Sequence, residues 1–213
     1  MKKDKMTKTI KLRILMSVVI FTISGTFGHA QSMEKNYKTV HVEMKINAPA
    51  ERVWEAMVLD YGEISNFSPY IHTSEYTNGS LKGEVGAERK CNFNEKGSQW
   101  SHERIGDIDS KNMVMRNVVI DGAKLPLNFD NSQAFYRVKD NGDGTATASY
   151  EFQFRTKPAF LGVIAKGGFK KQMSGTLVGL KHYVETGERV TAGNEVYKRI
   201  KKDYPKATQI KTK

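Results

Sequence analysis

The most constraining feature of the chain is a stripe near its C-terminus. Phe169, Met173, Leu177, Leu180 and Val184 step by 4, 4, 3 and 4 residues, which sets them on one face of an α-helix. A helix with one apolar face must bury it against another layer. The sequence upstream supplies that layer. Val40, Val42, Met44 and Ile46 alternate with His41, Glu43 and Lys45, the period of a half-buried strand. Further strand segments follow at His72–Thr77, Ala87–Asn94, Gln99–Asp107, Met113–Ile120, Gln133–Lys139 and Thr145–Thr156. Their connections are short. Asn78-Gly79 and Asp140-Asn141-Gly142-Asp143-Gly144 are hairpin signals, so neighbouring strands run antiparallel without crossover helices. The prediction is an α+β domain: a curved antiparallel sheet of about six to seven strands around one long C-terminal helix.

Two short helices are predicted after the first strand. Asn47-Ala48-Pro49 stops that strand, and Pro49 suits a first helical turn. Ala50–Leu59 then carries Val53, Trp54 and Met57 on one side, and a second short element spans residues 60–66, ahead of Pro69. The long helix is read from Lys157-Pro158 to Glu185, with Gly187 as its stop. Gly167-Gly168 lowers helix propensity by about 1 kcal/mol per residue, so a kink or a short separate helix is expected before them.

Residues 1–30 read as a signal peptide. Lys2, Lys3, Lys5, Lys8, Lys11 and Arg13 precede an apolar stretch from Ile14 to Phe27, and Gly28-His29-Ala30 offers small residues ahead of a cut before Gln31. An uncleaved anchor is the alternative. The chain is therefore expected to be exported, periplasmic or secreted. The net charge of +11 is carried by the ends: +5 in residues 1–30 and +6 in residues 189–213, leaving residues 31–188 neutral. A neutral body argues against a nucleic-acid partner. The basic tail, with Lys198, Arg199, Lys201, Lys202 and Lys206 among Tyr197, Ile200 and Tyr204, is expected to be loosely ordered, with a short basic helix at Glu195–Lys202 as the alternative. It either stays in solvent or makes weak contact with an anionic membrane. Cys91 is the only cysteine, so no intramolecular disulfide forms.

Several stretches together resemble one superfamily. They are Ile46-Asn47-Ala48-Pro49-Ala50-Glu51-Arg52-Val53-Trp54, Gly86-Ala87-Glu88-Arg89, Glu103-Arg104-Ile105 with Asp107, Gly144-Thr145, and Leu180-Lys181 with Val184-Glu185. Their order and spacing over Val40–Glu185 resemble the helix-grip superfamily, also called SRPBCC or START-like, and within it the polyketide cyclase/dehydrase-type proteins. The resemblance implies a helix-grip domain over residues 31–188 with a cavity between sheet and helix for an apolar small molecule or lipid. It implies no shared catalytic motif, and no cofactor is expected.

On that fold, strand alternation nominates the cavity residues. Arg89, Cys91 and Phe93 share one face of their strand; Glu103 and Ile105 share one face of theirs. Tyr150, Phe152 and Phe154 share a third, meeting Phe169, Met173 and Leu177 of the helix. Each of these residues also suits ordinary core packing, and Arg89 and Glu103 suit a solvent face equally well. The architecture is what favours a cavity. Leu125, Pro126 and Leu127, with Phe160, are expected to form a lid.

His41, His72, His102 and His182 have none of the usual metal-ligand spacings, so no metal site is expected. His182 is placed at the rim or in solvent. The leading functional expectation is a carrier of an apolar or amphipathic molecule. The rivals are a cyclase- or dehydratase-like enzyme using Glu103, His102 or Tyr150 as acid and base, and a protein-interaction module with a collapsed cavity. The oligomeric state is left open.

Overall fold

A computed structural model describes residues 37–211. The signal-peptide reading, and the export it implies, fall outside them. Strand β1 (Lys38–Ile46) leads into helix α1 (Ala50–Trp54), a π-helical turn (Glu55–Leu59) and a 3-10 segment (Tyr61–Asn66). Six strands follow: β2 (Thr73–Tyr76), β3 (Glu88–Asn92), β4 (Trp100–Asp109), β5 (Val114–Ala123), β6 (Gln133–Asp140) and β7 (Ala146–Phe154). The chain closes with α2 (Gly162–Thr186), a short α3 (Val196–Ile200) and a two-residue β8 (Thr208–Gln209). All eight strands form one sheet in the order β2-β3-β4-β5-β6-β7-β1-β8, paired antiparallel throughout. This is the helix-grip α+β architecture.

The alternation of β1 is what fixes its face. Val40, Val42, Met44 and Ile46 are all buried, and the residues between them are not. The short helical segments bury Val53, Trp54 and Met57 and plug one end of the sheet. Helix α2 divides its stripe between two tasks. Leu177 and Leu180 are fully buried in the core, whereas Phe169 and Met173, nearer the N-terminus, are only partly covered.

Two expectations about α2 are resolved differently. Gly187 does cap it, in the left-handed conformation at φ 79° that glycine adopts without strain. Gly167-Gly168 causes no break: α2 runs through both, because a single turn of weak formers costs little in a 25-residue helix. Only the start is separate, a 3-10 turn at Ala159–Leu161. Glycine matters more at Gly179, where a Cβ would sit 2.1 Å from the carbonyl oxygen of Phe67. That absence lets α2 pack directly on the backbone after the 3-10 segment.

The tail is not loosely ordered, and α3 (Val196–Ile200) falls within the short helix expected at Glu195–Lys202. Val190 and Ile200 are buried at 0% and 2% exposure, β8 pairs with the free edge of β1, and the Val190 N–H donates to the Asn66 carbonyl at 2.8 Å. His182 is correspondingly not at the rim. It is buried under the tail, with Nδ1 2.9 Å from the Tyr204 hydroxyl and Nε2 2.6 Å from the Glu188 carboxylate.

Candidate functional site

Between the concave face of the sheet and the N-terminal half of α2 lies a cavity of about 450 Å³. That is the size range of small-molecule sites. Its apolar walls come from Ile64 in the 3-10 segment and Tyr70 and Ile71 after it, from Phe93 just past β3, from Val119, Ala134 and Phe152 on the sheet, and from Ala165, Phe169 and Met173 on α2. One end is polar. Arg89, Ser101, Glu103, Asn117, Tyr136 and Tyr150 meet there, and Gln99, Gln172 and Thr176 also line the cavity.

The polar end is a buried network built on adjacent strands. Arg89 on β3 faces Glu103 on β4, its direct cross-strand partner. Arg89 Nε and Nη2 donate to Glu103 Oε2 at 3.1 and 2.7 Å. Arg89 Nη1 donates to the Tyr61 carbonyl at 2.8 Å, and Nη2 also donates to the Tyr136 hydroxyl at 2.9 Å. The guanidinium lies 4.0 Å over the Tyr61 ring, a cation–π contact. Asn117 Nδ2 donates to Glu103 Oε2 at 3.0 Å, while Asn117 Oδ1 accepts from the Tyr61 hydroxyl at 2.5 Å. Ser101 Oγ donates to the other carboxylate oxygen, Oε1, at 2.7 Å. The β4–β5 register shifts between His102 and Glu103. Such an irregularity bends and twists a strand locally, and here it falls beside the carboxylate.

The electrostatics follow from burial and pairing. Burial alone would raise the Glu103 carboxyl; the Arg89 charge and the bonds from Ser101, Arg89 and Asn117 outweigh it and hold the group below its usual value. Burial opposes the charge of Arg89, but its anionic and phenolic surroundings keep it protonated. Burial pushes the Tyr136 phenol up to about 12 and the Tyr150 phenol well above its ordinary value, so both remain neutral donors. The Tyr150 hydroxyl is buried without a hydrogen-bond partner.

Of the residues nominated from sequence, Arg89, Phe93, Glu103, Tyr150, Phe152, Phe169 and Met173 stand on the cavity wall, as do Leu125, Pro126 and Leu127 of the loop. That loop is tied down by a bridge between Leu127 and Thr156 and by the Lys157 N–H donating to the Pro126 carbonyl at 3.2 Å. Four nominated residues belong to the core behind the wall. Cys91 is short, lies between Arg89 and Phe93, and sits 3.6 Å from the Ser74 hydroxyl. Ile105 lies two residues beyond Glu103 on the same face of β4, in the core at 1% exposure. Phe154 backs the wall, stacking on Phe152 at 5.2 Å and edge-on to Phe169 at 4.8 Å. Leu177 is fully buried in the core, and its neighbour Thr176 takes the place on the wall. Phe160 is no lid: the 3-10 turn directs it outward, at 74% exposure.

His102 is on the opposite face of β4, where Nε2 lies 3.0 Å from the Thr77 hydroxyl and 3.0 Å from Glu88. Sequence reasoning passed over Tyr61, Asn117 and Tyr136. The signal for two of them was an interrupted apolar face: Met115, Asn117 and Val119 on β5, and Ala134, Tyr136 and Val138 on β6. No group of three or more metal-ligating side chains occurs among the described residues.

A helix-grip cavity with mostly apolar walls and a buried polar cluster defines a ligand-binding class of protein. The sequence model for the family described as "Polyketide cyclase / dehydrase and lipid transport" matches residues 38–185. The chain belongs to that family, within the SRPBCC superfamily. No functionally curated protein matches the chain. Among solved structures, Ara h 8.0201 is similar at TM-score 0.58 and 21% identity, over 70% of this chain and 99% of that one. The protein XoxI from Bacillus cereus is similar at TM-score 0.55 and 18% identity, over 70% and 96%. Norcoclaurine synthase from Thalictrum flavum, solved with dopamine and hydroxybenzaldehyde, is similar at TM-score 0.56 and 16% identity, over 70% and 87%. At these identities the likeness speaks for the fold.

Proposed function

We propose that the chain is an exported carrier for an apolar molecule with one hydrogen-bonding end, bound in the cavity between sheet and α2. One observation carries this reading. A cavity of about 450 Å³ is apolar on most of its wall, and the buried polar side chains that the sheet contributes to it cluster around Glu103. Three of the four hydrogen bonds to that carboxylate fall on Oε2; Oε1 takes only Ser101. Oε1 is therefore the acceptor left for a ligand hydroxyl or N–H, and the side chain keeps 12% exposure. Apolar walls supply the affinity and the polar end sets the orientation.

The enzymatic reading has the family's description behind it. It needs acid and base groups converging on the cavity. Glu103 and Tyr150 are on the wall, but His102 faces away, and a carboxylate held low by Arg89 is a weak base. These placements favour carriage over acid–base chemistry. The export half of the proposal rests on the basic and apolar leader alone.

The test is native mass spectrometry of the purified protein with solvent extraction of whatever accompanies it. The expected result is a stoichiometric adduct that is apolar and carries a hydroxyl or N–H group. A consistently ligand-free protein that also binds nothing from an extract of its own cells would overturn the reading. For export, fractionation should place the chain outside the cytoplasm and shortened by the leader.

A further inference from the structure

We propose that the exposed apolar tip formed by Phe160, Val163 and Ile164, together with the lysines beside it, docks the protein on an anionic lipid bilayer. The three side chains are 74%, 74% and 75% exposed. They sit together, on the 3-10 turn and the first turn of α2. Apolar groups this large seldom gather on a soluble surface without covering something.

The charge around them selects the partner. Between Glu151 and Glu185 the chain has Arg155, Lys157, Lys166, Lys170, Lys171 and Lys181 and not one acid. The body is neutral as a whole, so this is segregation rather than general excess. Lys170 and Lys171 follow Val163 and Ile164 by seven residues, close to two helical turns, and so share their faces. Gly167 lies between, with open space where a Cβ would be. Among the described residues, Lys157, Lys166, Lys170 and Lys171 make no salt bridge; Lys170 donates to the Gln209 amide oxygen. An apolar tip that enters the acyl boundary, with lysines behind it at headgroup depth, is the arrangement an anionic bilayer surface holds.

The position gives the contact a purpose. The same two turns of α2 direct Ala165 and Phe169 into the cavity. Docking there sets the cavity's α2 wall beside the membrane. The surface lies outside the cavity, so the docking stands or falls separately from the identity of the cargo.

The test uses the full chain with Phe160→Trp as a local reporter. Vesicles are phosphatidylcholine alone, or phosphatidylcholine with roughly one third phosphatidylglycerol. The chain without the reporter gives the background from Trp54 and Trp100. The apolar leader is common to every variant, so its own vesicle binding enters each measurement equally and the difference between variants reports the tip. The expected result is a blue shift, and quenching by brominated acyl chains, with the anionic vesicles only. Adding Val163→Asp and Ile164→Asp should weaken that response at least about tenfold. Lys170→Glu with Lys171→Glu should weaken it and remove its salt dependence. A silent reporter, or a response that survives the aspartates, would overturn the proposal. So would light scattering that shows a dimer dissociating in the aspartate variant, which would make the tip an interface between two copies.

Discussion

Arg89 places two nitrogens on one oxygen of Glu103: Nε and Nη2 both reach Oε2, at 3.1 and 2.7 Å. The pair bridges β3 and β4 at direct cross-strand positions, with side-chain exposures of 1% and 12%. Fork geometry on one oxygen leaves the other turned to Ser101 and the cavity. The same pair thus holds the sheet and faces the ligand space.

Removing the negative partner leaves Arg89 as an uncompensated buried charge. Glu103→Gln should cost about 3 kcal/mol in urea unfolding. Arg89→Met combined with Glu103→Leu should recover most of that loss, since an apolar replacement of both partners leaves no buried charge. A double variant no more stable than Glu103→Gln would show that the network's other bonds dominate.

Acid should act through the same carboxylate. The folded-state value of Glu103 lies below its ordinary 4.5. Its contribution is therefore complete above the unfolded carboxyl's pKa and is lost as pH falls through the lower, folded value. Unfolding free energy measured downward from pH 6 should fall more steeply in the wild-type chain than in Glu103→Gln. Asp109, Asp143 and Glu188 are also held low, and they act equally in both proteins.

Cys91 is fully buried, and burial pushes its thiol up to about 12. At pH 8 it should resist a disulfide reagent in the native protein and react within seconds in urea. Rapid native labelling would put the thiol on the cavity wall instead.

The ordered tail predicts a core-like cost far from the sheet. Ile200→Ala should destabilise the chain by about 2–4 kcal/mol, because Ile200 is 2% exposed. A change under half a kilocalorie would return the tail to the loose segment its composition suggests.

What was legible in the sequence was local periodicity. The faces of β1, of Arg89 with Phe93, and of Tyr150 with Phe152 follow from alternation alone. The helix stripe likewise placed Phe169 and Met173. Sequence alternation did not say how deep along a face a residue sits. Leu177 and Phe154 share the correct faces but lie behind the wall. The network partners Asn117 and Tyr136 needed strand order, since they reach Glu103 and Arg89 from β5 and β6. The tail was misread because Val190 and Ile200 are isolated in sequence. Val190 is covered by α2 at Gly179 and by the backbone near Asn66, and both residues are buried only once the chain has folded.

The central claim, a ligand-binding cavity against α2, is tested most directly by filling it. Gly168 stands on the cavity wall, and a Cβ added there meets no atom within 4 Å. Gly168→Trp should therefore fold without backbone collision and, from this wall position, crowd the cavity. Titration of N-phenylnaphthylamine, followed by its fluorescence, should show saturable one-to-one binding to the wild-type chain and at least about tenfold weaker binding to Gly168→Trp, with cooperative unfolding preserved. Equal binding by the two proteins would contradict the account, because the probe would then be held somewhere other than this cavity.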